Sequence, residues 1–197
     1  MKMDVVITGV GGQGNIFASL VISQSAMNKN LNVLGAETIG AAQRGGSVVS
    51  HIRISDGTIY SPLISRGQAD LLIGMEFVEM LRHIRLLNPK GTYLLNAMRI
   101  PTVLNNMGLD EYPANEEILE AARKYCPNGY VIEASALAKK LGNIQMTNVV
   151  MLGALVKIMP FFDYQEIKWL INANSPERFK EPNVQGFEEG YELIENK

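Results

Sequence analysis

The passage Met3-Asp4-Val5-Val6-Ile7-Thr8, followed by Gly9-x-Gly11-Gly12-Gln13-Gly14, most limits how this chain can fold. Its first part is short, β-branched and ended by glycine, which reads as a buried strand. The glycine turn opens a stretch of helical length, residues 15–28, rich in Ala, Ser, Leu and Ile, and residues 31–36 then read as a second strand. Strand, glycine turn, helix and strand in that order make a βαβ unit, with a right-handed crossover and a parallel sheet. In such a turn the first glycine permits the bend, the second lets backbone approach a phosphate, and the third lets the helix pack on the sheet. The helix N-terminus then faces an anion.

The rest of the chain continues an α/β pattern. Residues 47–54 form a third strand-like run, and Asp56-Gly57 predicts a tight hairpin turn into residues 58–60. Residues 71–74 read as a fourth buried strand, 76–87 as a helix, and Pro89-Lys90-Gly91 as a turn into a strand over 92–96. Asn115 is placed to cap a helix to Tyr125, with Ile118, Ala121, Ala122 and Tyr125 on one face. A strand over 130–133 and a short helix to Leu141 follow. Residues 148–159 are helical and apolar almost all round, as in a helix buried in its own core or in another protein's. Asp163-x-x-Glu166 predicts a capping box, and Val184, Phe187, Tyr191 and Ile194 make a single helical stripe. With no repeat or linker, the expectation is one Rossmann-like α/β domain over residues 1–197. It has a mostly parallel sheet, an inserted hairpin and a helical C-terminal extension over 146–197.

Composition narrows the function. A net charge of −2 without a Lys/Arg block leaves no footprint for nucleic acid. The single cysteine, Cys126, precludes an internal disulfide and lacks companions for a zinc or iron–sulfur site. The longest apolar stretch, 149–156, falls far short of the roughly 20 residues that span a bilayer. The first residues have no signal-peptide layout, so the expected location is cytoplasmic, away from membranes.

Two loops carry the candidate chemistry. The Gly9, Gly11, Gly12, Gln13 and Gly14 turn has Glu37 about 20 residues on, where a dinucleotide site wants an acid for the ribose hydroxyl. It also fits a tight turn in a protein–protein contact, and no later segment reads as a dehydrogenase catalytic domain. The second loop is Ala41-Ala42-Gln43-Arg44-Gly45-Gly46-Ser47, where a guanidinium and backbone N–H groups can converge on one carboxylate or phosphate. Both loops leave the carboxyl edge of the sheet, where ligands bind in such folds. Arg44 is the candidate anion contact; the simpler alternative pairs it with Glu37 or Glu76. His51, alternating with Ser50 and Ile52, reads first as a structural histidine, and His83 is given no role.

These residues resemble a known family. Gly9-Val-Gly-Gly-Gln-Gly14, Glu37-x-x-Gly40-x-Ala42-Gln43-Arg44-Gly45-Gly46-Ser47-Val48, Ser50-His51-x-Arg53, Ser61-Pro62-Leu63-Ile64, Gly67-x-Ala69-Asp70, Glu76 and Asn148-x-x-Met151-Leu152-Gly153-Ala154 are similar to the gamma-type domain of 2-oxoacid:ferredoxin oxidoreductases. Within that family the pattern is most like the beta subunit of the indolepyruvate type, with the pyruvate and ketoisovalerate types as the alternative. The resemblance implies oxidative decarboxylation of a 2-oxo acid to an acyl-CoA, with coenzyme A as co-substrate and electrons passed to ferredoxin. It implies a large partner subunit holding thiamine diphosphate, magnesium and the iron–sulfur clusters. It places the cofactor-facing surface on Gly9, Gly11, Gly12, Gln13, Gly14, Glu37, Gln43, Arg44, Gly45 and Gly46. A free-standing nucleotide-binding protein is the reading from the other class.

Overall fold

A computed structural model describes residues 1–40 and 45–194. Strand β1 (Lys2–Val10) leads through the glycine turn into helix α1 (Asn15–Asn28), then β2 (Asn32–Ile39), β3 (Ser47–Ser55) and β4 (Ala69–Gly74). Helix α2 (Phe77–His83), β5 (Leu87–Asn96), the one-turn α3 (Val103–Asn106), α4 (Asn115–Tyr125), β6 (Gly129–Ile132) and α5 (Ala134–Lys140) complete the α/β part. Helices α6 (Thr147–Ile158), α7 (Tyr164–Asn174) and α8 (Lys180–Glu192) follow. The strands form one sheet in the order β2-β3-β1-β4-β5-β6.

Strands β1, β4, β5 and β6 pair in parallel, and β3 pairs antiparallel with both β1 and β2. Thus β1 and β2 share a direction, as the βαβ reading expects, but β3 lies between them. The inserted hairpin is therefore β2 and β3, joined through residues 40–46. The turn predicted at Asp56-Gly57 does not return as a strand, and Thr58, Ile59 and Tyr60 lie outside the sheet. The physical reason is that both edges of β3 are already paired, so a strand arriving from Asp56-Gly57 has no ladder to join.

Alternation along the strands splits the core into two layers. Val5, Ile7, Ile52, Ile54, Leu71, Ile73 and Leu94 face α1 and the C-terminal helices, while Val6, Val49, Leu72, Tyr93 and Leu95 face α2 and α4. Helix α6 is apolar all round because it is enclosed in this chain's own core: ten of its 12 residues are buried. It packs so closely on α8 that a Cβ on Gly153 would lie 2.1 Å from Phe187 O, and one on Gly190 2.1 Å from Val150 O. Phe187 is fully buried in this contact, with Tyr191 and Ile194 packed beside it, so the C-terminal stripe serves the core.

Other local expectations shift by a residue or a partner. Ala114, not Asn115, caps α4; Glu117 reaches back to the Ala114 N–H at 3.3 Å, and Asn115 instead accepts from Arg99 at 3.1 Å. On α4, Ile118 and Ala122 are buried, while Ala121 is exposed. Strand β5 begins at Leu87, before Pro89, through a bulge between Ala69 and Leu71 of β4. Asp163 does cap α7, accepting the Glu166 N–H at 2.8 Å. The Glu166 carboxylate closes no box; it takes Ser25 Oγ at 2.9 Å and Lys29 Nζ at 2.7 Å.

Candidate functional site at the carboxyl edge of the sheet

The chain leaves β1 and β4 at neighbouring positions and turns to opposite sides of the sheet, to β2 on one side and β5 on the other. That boundary is the switch point where doubly wound sheets open a ligand crevice. Here a set of side-chain hydrogen bonds braces it. Gln13 Oε1 accepts the Val10 N–H at 2.8 Å, and its Nε2 donates to Met75 O at 3.0 Å. Asn96, at the end of β5, donates to the same carbonyl at 2.9 Å and to Ser135 Oγ at 2.8 Å. Ser135 N–H returns to Asn96 Oδ1 at 3.0 Å, and Ser135 Oγ lies 3.1 Å from Thr147 Oγ1. A buried polar chain thus ties the glycine turn to the starts of α5 and α6. Buried amides and hydroxyls this well satisfied hold a fixed arrangement.

The turn is shaped by packing. Gly14 caps α1 in the left-handed conformation at φ 79° and ψ 25°, and a Cβ there would lie 2.3 Å from Asn148 Nδ2. Gly12, at φ 103°, projects into open space. Around it lie three clefts. One, about 390 Å³, is walled by Val10, Ile16, Ile39 and Val48. A second, about 250 Å³, is lined by Phe17, Phe179 and the carboxamides of Asn143, Gln145, Asn148 and Asn183. The third, about 300 Å³, runs along the sheet edge past Gly45, Met98, Ile100, Ser135 and Thr147.

The two glycine loops do meet, as expected of loops leaving one edge. Gly11 N–H donates to Gly46 O at 2.9 Å, and Gly45 N–H approaches Gly11 O at 3.5 Å. Of the backbone N–H groups of the glycine turn, that of Gly11 is therefore committed within the chain, and that of Gln13 donates to Val10 O at 3.3 Å. Gln43 and Arg44 lie outside the described residues. Their suggested carboxylate partners have bonds of their own. Glu37 accepts from Ser19 Oγ at 2.9 Å and from Ser50 Oγ. Glu76, 1% exposed, caps α2 by accepting Glu79 N–H at 2.8 Å, and accepts Ile100 N–H at 3.2 Å and the Tyr112 hydroxyl. With β3 inserted, Glu37 also stands two strand spacings from β1, about 10 Å, where a dinucleotide fold allows one.

On the opposite face of the sheet, Ser47 Oγ donates to Glu79 Oε2, with His83 Nε2 3.4 Å from the hydroxyl. The burial of His83 lowers its pKa, with Glu79 acting in the opposite direction. His51 is structural: its Nδ1 accepts the Ile64 N–H at 3.2 Å, and burial holds its pKa below the usual value, with nearby His83 adding to the effect. Asn96, Ser135, Thr147, Glu79 and His83 escape sequence reasoning, because none sits in a motif and their meeting depends on strand order.

No group of three His, Cys, Asp or Glu side chains among the described residues could hold a metal ion. Cys126 is buried, with its thiol donating to Gly91 O at 3.3 Å, and does not fit a cluster that takes four thiolates. No helix among the described residues is long and apolar enough to cross a membrane.

Residues 4–193 match the family described as pyruvate ferredoxin/flavodoxin oxidoreductase. The chain is 37% identical over 193 residues to the indolepyruvate oxidoreductase subunit IorB of Archaeoglobus fulgidus, covering 97% of this chain and 94% of the relative. It is 34% identical over 191 residues to the subunit of the same name from Pyrococcus horikoshii, covering 96% and 94%. Among solved structures, the keto/oxoacid ferredoxin oxidoreductase gamma subunit of Geobacter sulfurreducens superposes with a TM-score of 0.70 at 22% identity, over 97% of each chain, and so shares the fold.

Proposed function

Since the chain belongs to the pyruvate ferredoxin/flavodoxin oxidoreductase family, we propose that it is the small, cluster-free subunit of a 2-oxoacid:ferredoxin oxidoreductase of the indolepyruvate type. The enzyme so assembled takes a 2-oxo acid, coenzyme A and oxidised ferredoxin to an acyl-CoA, carbon dioxide and reduced ferredoxin. The observation that carries this reading is the 37% identity to an indolepyruvate oxidoreductase subunit across nearly the whole of both chains. Residues 1–197 then act as one gamma-type domain, with residues 146–197 as part of it.

The division of labour follows from what this chain can hold. With one cysteine, it is not the carrier of electrons. Thiamine diphosphate, its magnesium and the iron–sulfur clusters belong, in this reading, to a larger partner, which also meets ferredoxin. The Gly9, Gly11, Gly12, Gln13 and Gly14 turn, with Glu37, Gln43, Arg44, Gly45 and Gly46, forms the wall that closes the partner's thiamine site. Arg44 takes the anionic part of coenzyme A or of the substrate. Keeping water from a thiamine-bound carbanion is the chemical benefit of such a wall. The place of Glu37 supports this over a free-standing nucleotide-binding protein: the acid a dinucleotide's ribose would need stands two strands from β1 and is bonded to Ser19 and Ser50.

The test is anaerobic oxidation of indolepyruvate and of pyruvate with coenzyme A and a viologen dye, using the chain alone, the large subunit alone and the two mixed. Activity confined to the mixture, higher with indolepyruvate, and lost in Arg44→Ala without loss of assembly is the expected result. Activity with no need of this chain sinks the subunit reading, and a preference for pyruvate moves the chain to the pyruvate and ketoisovalerate type.

A further inference from the structure

Glu79 is a carboxylate only 5% exposed, on the helix that follows β4. Burying a charge is costly unless partners repay it, and the partners here are specific. Glu79 Oε2 accepts the Ser47 hydroxyl and lies 3.7 Å from His83 Nε2; Oε1 lies 3.3 Å from Arg82 Nε, on a half-exposed side chain. Ser47 is the residue on which the second glycine loop ends. Its carbonyl accepts Gly40 N–H at 2.9 Å, and the carbonyl just before it, that of Gly46, accepts Gly11 N–H at 2.9 Å. Glu79 is itself held, since its N–H donates to Glu76 Oε2 at 2.8 Å. A continuous set of bonds therefore runs from α2 through Ser47 to the glycine turn.

We propose that Glu79 is a positioning residue for the glycine loops: by holding the Ser47 hydroxyl it fixes Gly46 against Gly11, and so sets the shape of the cleft that Gly11, Gly12 and Gly45 line. The functional half of this rests on the subunit reading; the structural half does not. Glu79 lines none of the three clefts around Gly12, and acts through Ser47.

The structural half is read by hydrogen exchange of the Gly11 amide in the full chain. Glu79→Leu and Ser47→Ala each speed that exchange about tenfold, the scale of one charge-assisted hydrogen bond partly lost. The double variant is no faster than Ser47→Ala alone. Glu79→Gln, which keeps a carbonyl oxygen for the hydroxyl, stays near the parent, and so does Arg82→Ala. Should Glu79→Leu not fold, Ser47→Ala and Glu79→Gln still decide. Unchanged exchange in Ser47→Ala, or additive effects in the double variant, overturns the proposal. In the assembled oxidoreductase, Ser47→Ala raises KM for the 2-oxo acid or coenzyme A about tenfold with kcat within about twofold, the pattern of disturbed binding geometry. A fall in kcat at constant KM removes the functional half. Inactivity of the unsubstituted complex removes the subunit reading instead and leaves the exchange result standing.

Discussion

Gly12 and Gly14 both have positive φ, yet a methyl group will affect them differently. At Gly12 an added Cβ meets nothing within 4 Å, so Gly12→Ala carries only the cost of a left-handed residue, about 1 kcal/mol. At Gly14 the same strain is joined by a 2.3 Å approach to Asn148, which itself donates to Gly14 O at 3.3 Å. Gly14→Ala is expected to cost about 3 kcal/mol. Thermal melts will then separate the two, with losses of about 3 °C and about 9 °C. His51 supplies a pH prediction. Its pKa is lowered in the folded chain, mainly by burial, so the unfolded chain binds the proton more readily. Stability is unaffected well above the ordinary histidine value of about 6.5 and is lost as pH falls through it. His83 has the same sign, so His51→Gln will remove part of the loss in Tm between neutral and mildly acid pH, not all of it. An unchanged pH profile counts against this account of His51. The sequence made the glycines and Glu37 visible as unusual residues, but not what they touch. Glu37 reads as a ribose ligand only while β1 and β2 are taken as neighbours; with β3 between them its carboxylate turns to Ser19 and Ser50.

Among the elements, α6 was the most legible and its partner the least. An all-round apolar stretch must be enclosed, and the sequence says that much. That it is enclosed by α8 depends on Gly153 and Gly190, which are 37 positions apart and share no local pattern. Because each lets one helix backbone rest on the other, Gly153→Ala or Gly190→Ala must push two backbones apart, with no side chain able to yield. Such overpacking is expected to cost about 3 kcal/mol, and differential scanning calorimetry will show Tm lower by about 9 °C. A loss below about 2 °C would mean that the helices slide freely. The predicted hairpin at Asp56-Gly57 failed for a comparable non-local reason. The turn residues are right, but strand pairing is decided by free edges, and β3 has none left.

For the whole molecule, the α/β class, the parallel direction of most strands and the meeting of the two glycine loops could all be read from residue types and spacing. What could not be read is that the switch-point crevice is braced by hydrogen bonds from within. Gln13, Met75, Asn96, Ser135 and Thr147 come from five separate segments, and only the assembled sheet brings them together. The central place of β3 has a further consequence, one of timing during synthesis. Strand β1 is made before both of its neighbours, residues 47–55 and 69–74. Strand β2 likewise has no partner before β3. Until those later strands are made, β1 and β2 therefore stand as two unpaired strands around an apolar helix, exposed to aggregation.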